Sequence, residues 1–398
     1  MLSSVHRPGR RLPARVRAAV LAAALALALL PAAAETLIVG PTPPALSLAE
    51  ALAQAQDGDT VALVAGDYKG HGGVVTQRQL TIRALTGPVV LHAARQLPER
   101  KAILVIRGGE VTVEGLEFRG ARADDANGAG IRHETGRLTV RNSVFLDNEI
   151  GILTGNDEKA ELVVEDSEFG RAPRIEGGLH HLLYVGRIAR FTLRGSRFYL
   201  GYEGHLVKSR AAESRIHYNL IHDGDEGEAS YEIDLPNGGR AWIVGNVIGQ
   251  SARAQNPVMV AYGGEGSRWP ANGLYLAHNS FVGNPWPPSW FVRVFHDRLP
   301  AATEVVAVNN VAVGLGLFSP FAEGRFDGNR QALRRRALES VYTLDFTPTE
   351  ASGWRRSARP AGNAGGESLA PTAEFTLPRG TRPLAAPAQW TPGAFQPR

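Results

Sequence analysis

Asn142-Ser143-Val144-Phe145 belongs to a series that runs through most of the chain. Its other members are Gly115-Leu116-Glu117-Phe118, Asp166-Ser167-Glu168-Phe169, Gly195-Ser196-Arg197-Phe198, Asn219-Leu220-Ile221, Asn246-Val247-Ile248, Asn279-Ser280-Phe281 and Asn309-Asn310-Val311. The closing apolar residues fall at 118, 145, 169, 198, 221, 248, 281 and 311, in steps of 27, 24, 29, 23, 27, 33 and 30 residues. A period of that length belongs to a solenoid, whose units cannot bury their own apolar faces and must stack on neighbours.

The stretches between the motifs decide which solenoid. Arg137-Leu138-Thr139-Val140, Glu161-Leu162-Val163-Val164, Phe191-Thr192-Leu193 and Ala241-Trp242-Ile243-Val244 have the period of a strand, and no helical period lies near them. A leucine-rich repeat would show a longer run of Leu and a helical return. Asn opens five of the eight motifs, which suits a tight turn, because it tolerates left-handed dihedrals and bonds to nearby backbone. Asn residues stacked in successive coils would also form an amide ladder. The expected fold is all-β, a single-stranded right-handed parallel β-helix with three short strands per coil and coils about 4.8 Å apart.

The ends follow from local signals. Ser47-Leu48-Ala49-Glu50-Ala51-Leu52 carries a helix cap and helical apolar spacing, and predicts a short helix covering the first coil. Arg7, Arg10, Arg11, Arg15 and Arg17 precede an apolar run from Ala18 to Leu30 and a small-residue stretch ending at Ala34, the pattern of a signal peptide. The expected organisation is a leader over 1–34, an N-terminal strand and cap over 35–58, the β-helix over 59–315, and terminal coils with an irregular Pro/Gly-rich tail over 316–398. Arg325 to Glu339 reads as a polar insertion or helix. From Thr347 the tail is expected to run back along the outside.

Without the leader, 38 basic residues face 39 acidic ones, which gives no basic surface for nucleic acid. There is no cysteine, so neither disulfides nor thiolate chemistry is available. No later stretch is long and apolar enough to span a bilayer. A monomer exported to a periplasm or beyond is the expected state.

Candidate chemistry concentrates between Gly177 and Asp297. If Val185, Val207, Ile233, Ala261 and Phe295 face inward together, Gly186, Lys208, Asp234, Tyr262 and His296 form one outward column, and Tyr184, Leu206, Glu232, Val260 and Val294 the other. One coil apart, Lys208 and Asp234 would pair, as a site or as a stabilising contact of about 0–1 kcal/mol. Glu232 and Asp234, two apart on one strand, would face the same way, as the acid and base of a hydrolase or as oxygen ligands to Ca²⁺. The acidic run from Asp223 to Glu228 reads as a solvated loop. His180 and His181 would face opposite ways, one of them reaching a groove beside Tyr184. Arg240 would leave the Pro236-Asn237-Gly238-Gly239 turn beside the acids. His205, Tyr231, Tyr262, Arg268, Trp269 and His296 are the candidate substrate contacts. Trp286, Trp290 and Phe291 form a second aromatic excursion, either sugar-stacking or anchoring a loop.

From the cap to about residue 315, the motifs at Asn142, Asn219, Asn246 and Asn279 resemble those of secreted bacterial proteins of the pectate-lyase-like right-handed β-helix superfamily. The resemblance implies an acidic polysaccharide as substrate. Lys208 with Arg210, Arg215 or Arg240 is similar to the base and acid of alginate- and chondroitin-cleaving lyases, with Glu232 and Asp234 holding Ca²⁺. The Asp-Pro-His-Asp signature of epimerases is missing, and no aspartate pair matches the polygalacturonase-like hydrolases. A uronate lyase is therefore the expected function. The alternatives are a hydrolase centred on Glu232 and Asp234, or a glycan-binding envelope protein without catalysis.

Overall fold

A computed structural model describes residues 34–175, 177–284, 286–318 and 324–397. The expected leader lies outside the described residues save for Ala34. Short strands repeat in the order first, third and second sheet, and each pairs in parallel with its equivalent one coil away. Among the described residues this builds sheets of twelve, eleven and ten strands, a right-handed parallel β-helix of about ten turns. Alternation drives it. In Arg137–Arg141, Leu138 and Val140 are buried, and they align with Leu162 and Val164, then Phe191 and Leu193, in the next two coils.

The recurring apolar residue is the spine of the core. Phe118, Phe145, Phe169 and Phe198 stack in parallel with ring centroids 4.9, 4.7 and 4.7 Å apart, and Ile221, Ile248 and Phe281 continue the column. The column then takes Ala312 rather than Val311, because Phe281 pairs with Ala312 while Val311 points outward against the tail. The unit Asn309-Asn310-Val311 is thus read one residue out of step.

That slip separates two roles for Asn. Three residues before each core residue stands a left-handed position, held by Gly115, Asn142, Asp166, Gly195, Tyr218, Gly245, His278 and Asn309. One residue further on lies an interior ladder. Asn219 Nδ2 donates to Asn246 Oδ1 (2.9 Å), Asn246 to Asn279 (3.0 Å), Asn279 to Asn310 (2.9 Å) and Asn310 to Asn329 (2.9 Å). Ser143, Ser167 and Ser196 extend it toward the N-terminus with hydroxyls that accept backbone N–H groups.

Helix Leu48–Gln54 caps the first coil. Ser47 Oγ accepts from Glu50 N, the Glu50 carboxylate accepts from Ser47 N, and Leu48, Ala51 and Leu52 are buried beneath. At the other end, 325–339 holds strands Arg325–Asp327 and Arg330–Ala332 and a single 3-10 turn where a helix was one expectation, and Asn329 terminates the ladder there. The tail packs back along the outside. Ala361, Ala364, Leu369 and Ala373 cover Tyr218, Trp242 and Tyr275 on the first sheet, while Phe346, Trp354 and Phe375 cover Leu220, Val247 and Val311 on the third. The polar face described below lies on the second sheet.

Candidate active site

Five strands of the second sheet, Leu183–Val185, Val207–Ser209, Ile233–Leu235, Val258–Tyr262 and Ser289–Val294, carry the candidate residues. Leu183, Val207, Ile233, Val260 and Val292 align and point into the core. The next position is the ladder Tyr184, Lys208, Asp234, Ala261 and Arg293. The Lys208–Asp234 step agrees with the sequence reading and the flanking assignments do not. Tyr184 joins the Lys208 ladder, and Ala261 and Arg293 stand where Tyr262 and His296 were expected. Equivalent positions are spaced 24 residues from Tyr184 to Lys208, 26 to Asp234, 27 to Ala261 and 32 to Arg293, so spacing alone does not fix the register.

Lys208 Nζ lies 3.4 Å from Asp234 Oδ2, and His205 Nδ1 lies 3.2 Å from the same oxygen. Burial acts to raise the Asp234 carboxyl, but the contact with His205 and then the Lys208 charge outweigh it and leave its pKa below the ordinary aspartate value. Lys208 Nζ also sits 5.4 Å from the Tyr184 ring centroid. Just past the end of the Lys208 strand, Arg210 donates through Nε to the Tyr184 hydroxyl (3.0 Å) and through Nη1 to Asn237 Oδ1 (2.5 Å). Both guanidinium ends grip Glu265, at 2.6 and 2.8 Å. Burial acts to lower the guanidinium pKa, yet the bonds to Glu265 and Tyr184 prevail and hold it above its ordinary value.

Beside this group lie three rings, one from each coil: His205 stacks on Tyr231 at 4.8 Å, and His181 lies tilted against His205 at 4.7 Å. His181 Nδ1 accepts from His205 N (2.9 Å), and burial followed by the charges of His205 and Lys208 holds His181 neutral, well below the usual imidazole range. His180 points elsewhere. It is buried, with Nε2 3.2 Å from Ile175 O. Of the two adjacent histidines, His181 therefore borders the site.

Other candidates fall outside. Tyr262 is fully buried, its hydroxyl donating to Gly239 O and accepting from Gly273 N, so it anchors the turn and touches no outer face. Arg240 starts a first-sheet strand, pairs with Glu213 and lies over Trp242. Arg215 is on that sheet too, bound to Glu213 and to Glu367 of the tail. His296 begins a 3-10 turn after the last of the five strands. Trp269 Nε1 donates to Arg210 O (3.0 Å), so Trp269 braces the site through backbone, and Arg268, exposed, donates its N–H to Asn237 O.

Glu232 overturns the shared-face reading. It occupies the position held by Leu182, Leu206, Met259 and Phe291 in neighbouring coils, all part of the apolar core. Its Oε2 accepts from Gln250 Nε2 (3.1 Å), and burial, then the Asp223 carboxylate, pushes its pKa well above the ordinary value. Glu232 and Asp234 thus do not face one cation or one sugar bond, and the expected Ca²⁺ pair is not formed. Among the described residues no group of three or more His, Cys, Asp or Glu side chains could hold a metal. Asp223 is likewise inside, accepting from Gly201 N and Ala229 N, its carboxyl raised to about 6 by burial, and is not part of a solvated loop. Spacing did not reveal Glu265, Asn237 or Arg293. The one acid inside the Gly263-Gly264-Glu265-Gly266 loop was the signal available.

No protein-family model matches the chain, and no curated protein sequence does. Solved structures do. A pectate lyase, Pel9A, superposes with a TM-score of 0.62 at 14% identity, covering 92% of this chain and 96% of that one. An alginate lyase from Paenibacillus sp. str. FPU-7 gives a TM-score of 0.50 at 16% identity, over 75% of this chain and 99% of its own. At such identities the likeness establishes the fold alone, a right-handed parallel β-helix. No described helix is long and apolar enough to cross a membrane.

Proposed function

We propose that this protein is an exported polysaccharide lyase that cleaves a uronic-acid-containing chain by β-elimination. The observation that carries the reading is the convergence of Lys208, Tyr184 and Arg210 on an outer face, with the Arg210 guanidinium bonded to the Tyr184 hydroxyl. The structural likeness to a pectate lyase and an alginate lyase supports it. So does the leader-like composition of residues 1–34.

In the proposed step Lys208 first gives its ammonium proton to solvent, and the neutral amine then takes the C5 proton of the uronate at Nζ. The freed electron pair forms the C4–C5 double bond as the C4–O bond breaks, and the departing oxygen leaves with the Tyr184 hydroxyl proton. Tyr184 is then reprotonated from solvent. Arg210 is not the acid, because a guanidinium held above its ordinary pKa does not release its proton. Its role is to neutralise negative charge as the carboxylate gains enolate character, a role the family resemblance gave to Ca²⁺.

The test is a panel of alginate, pectate, glycosaminoglycans and neutral glycans, assayed in parallel for unsaturated ends and for reducing ends. Unsaturated product from a polyuronate supports elimination. Reducing ends without unsaturation would reject it.

A further inference from the structure

We propose that Glu265 is a specificity-determining residue, a carboxylate from the protein's own chain that occupies the uronate carboxylate subsite until substrate displaces it. This rests on reading the Lys208–Arg210 face as a uronate site. Glu265 meets Arg210 with both oxygens, the two-point fork that a guanidinium offers any carboxylate, and the oxygen nearer Lys208 lies 4.0 Å from Nζ. Those distances describe a carboxylate bound in a two-cation pocket.

Burial and charge point the same way. The side chains of Lys208 and Arg210 are only 10% and 17% exposed, whereas that of Glu265 is 51% exposed, so Glu265 sits on the solvent side of the pair. Of the four charged groups, Asp234 lies beneath with Lys208, and Glu265 completes the balance of two positive and two negative charges. A substrate carboxylate arriving in place of Glu265 restores that balance, and a neutral sugar or a methyl ester does not. Losing Glu265 with no replacement leaves two buried cations against one anion, which is costly.

The backbone can release it. Glu265 follows Gly263 and Gly264 and precedes Gly266, and Gly263 and Gly266 have φ of 80° and 82°. Nearby backbone bonds, Gly263 N to Leu235 O, Gly266 N to Gly263 O and Arg268 N to Asn237 O, hold the loop's two ends. Glu265 N donates to Pro236 O. Rotation of the Glu265 side chain about its own bonds opens the subsite without breaking any of these.

An internal competitor lowers apparent affinity by the fraction of time the subsite is open. If Glu265 is engaged about nine-tenths of the time, affinity falls about tenfold. The experiment is calorimetric titration of Lys208→Arg, which keeps the cation but not the base, alone and combined with Glu265→Gln or Glu265→Ala, with trisaccharides of galacturonate, mannuronate, guluronate and glucuronate. The methyl esters of each are titrated alongside, and thermal melts verify that each variant is folded. The expected result is binding about tenfold or more tighter in both combined variants than in Lys208→Arg alone for at least one free-acid trisaccharide, with no gain for its ester. Unchanged or weaker binding by folded variants would overturn the proposal and leave Glu265 as a structural partner of Arg210. An equal gain for esters would overturn it too. Because binding is measured without turnover, tighter binding in the absence of unsaturated product would sink the elimination reading alone.

Discussion

Glu232 and Asp234 stand two residues apart on either side of Ile233, yet the first is fully buried and bonded to Gln250, while the second lies against Lys208 on the outer face. The strand Ile233–Leu235 begins only after Glu232, so strict alternation does not apply to Glu232. Its Oε1 has no hydrogen-bond partner among the described residues. A carboxyl in that setting favours its neutral form.

Glu232 therefore makes stability depend on pH. Its folded pKa lies well above the ordinary 4.5, so its contribution is fully present below that value, where both folded and unfolded chains are protonated. As pH rises past 4.5 the unfolded chain sheds the proton first and stability falls, until the folded carboxyl itself ionises. Each unit of pKa difference is worth about 1.4 kcal/mol. Glu232→Gln should match wild type near pH 4 and exceed it in urea midpoint at pH 7–8. Parallel curves across that range would show that Glu232 is not buried as a neutral acid.

Phe169 sits between Phe145 and Phe198 at 4.7 Å from each. Phe169→Ala should cost about 3–5 kcal/mol by urea unfolding, from lost apolar burial and the cavity left in a rigid stack. A cost below about 1 kcal/mol would mean that the column relaxes, contrary to its parallel geometry.

The amide ladder gives a prediction of another kind. Asn246 accepts from Asn219 N and Nδ2 and donates to Ile216 O and Asn279 Oδ1. Asn246→Leu nearly conserves volume but strands those groups inside the core, at about 1–3 kcal/mol for each buried group left unsatisfied. Asn219→Ser, which copies Ser196, should cost less than Asn246→Leu. Equal costs in thermal melts would contradict the ladder as a source of stability.

The solenoid was legible because its core residue recurs as Phe or Ile after a turn, and neither side chain is at home on the surface. The step from Lys208 to Asp234 was legible because the apolar residues before them, Val207 and Ile233, mark the core side of each strand. Register failed in the later strands, where runs of apolar residues leave alternation ambiguous: in Val258–Tyr262 the outer position is Ala261 and not Tyr262, and in Ser289–Val294 it is Arg293 and not His296. Glu265 was missed for a deeper reason. It reaches Arg210 from a loop 55 residues away, and no period in the sequence encodes that contact.

Lys208 separates charge from proton transfer in the proposed reaction. Lys208→Ala leaves the Asp234 carboxylate buried beside His205 alone, so a loss of activity in that variant would mix chemistry with local rearrangement. Lys208→Arg keeps a cation for Asp234 and for the Tyr184 face, but its guanidinium does not give up a proton at working pH and cannot act as base. Lys208→Arg should melt close to wild type, bind polyuronate within a few-fold, and lose about 10²–10⁴ in kcat, the usual worth of a positioned general base. Tyr184→Phe should lose kcat with little change in KM, since the ring remains and only the hydroxyl proton is gone. Arg210→Gln should chiefly raise KM for uronide chains. Turnover retained by a folded Lys208→Arg protein would mean that Lys208 contributes charge only, and the base would have to be sought elsewhere, first at His205, which shares the Asp234 carboxylate with Lys208.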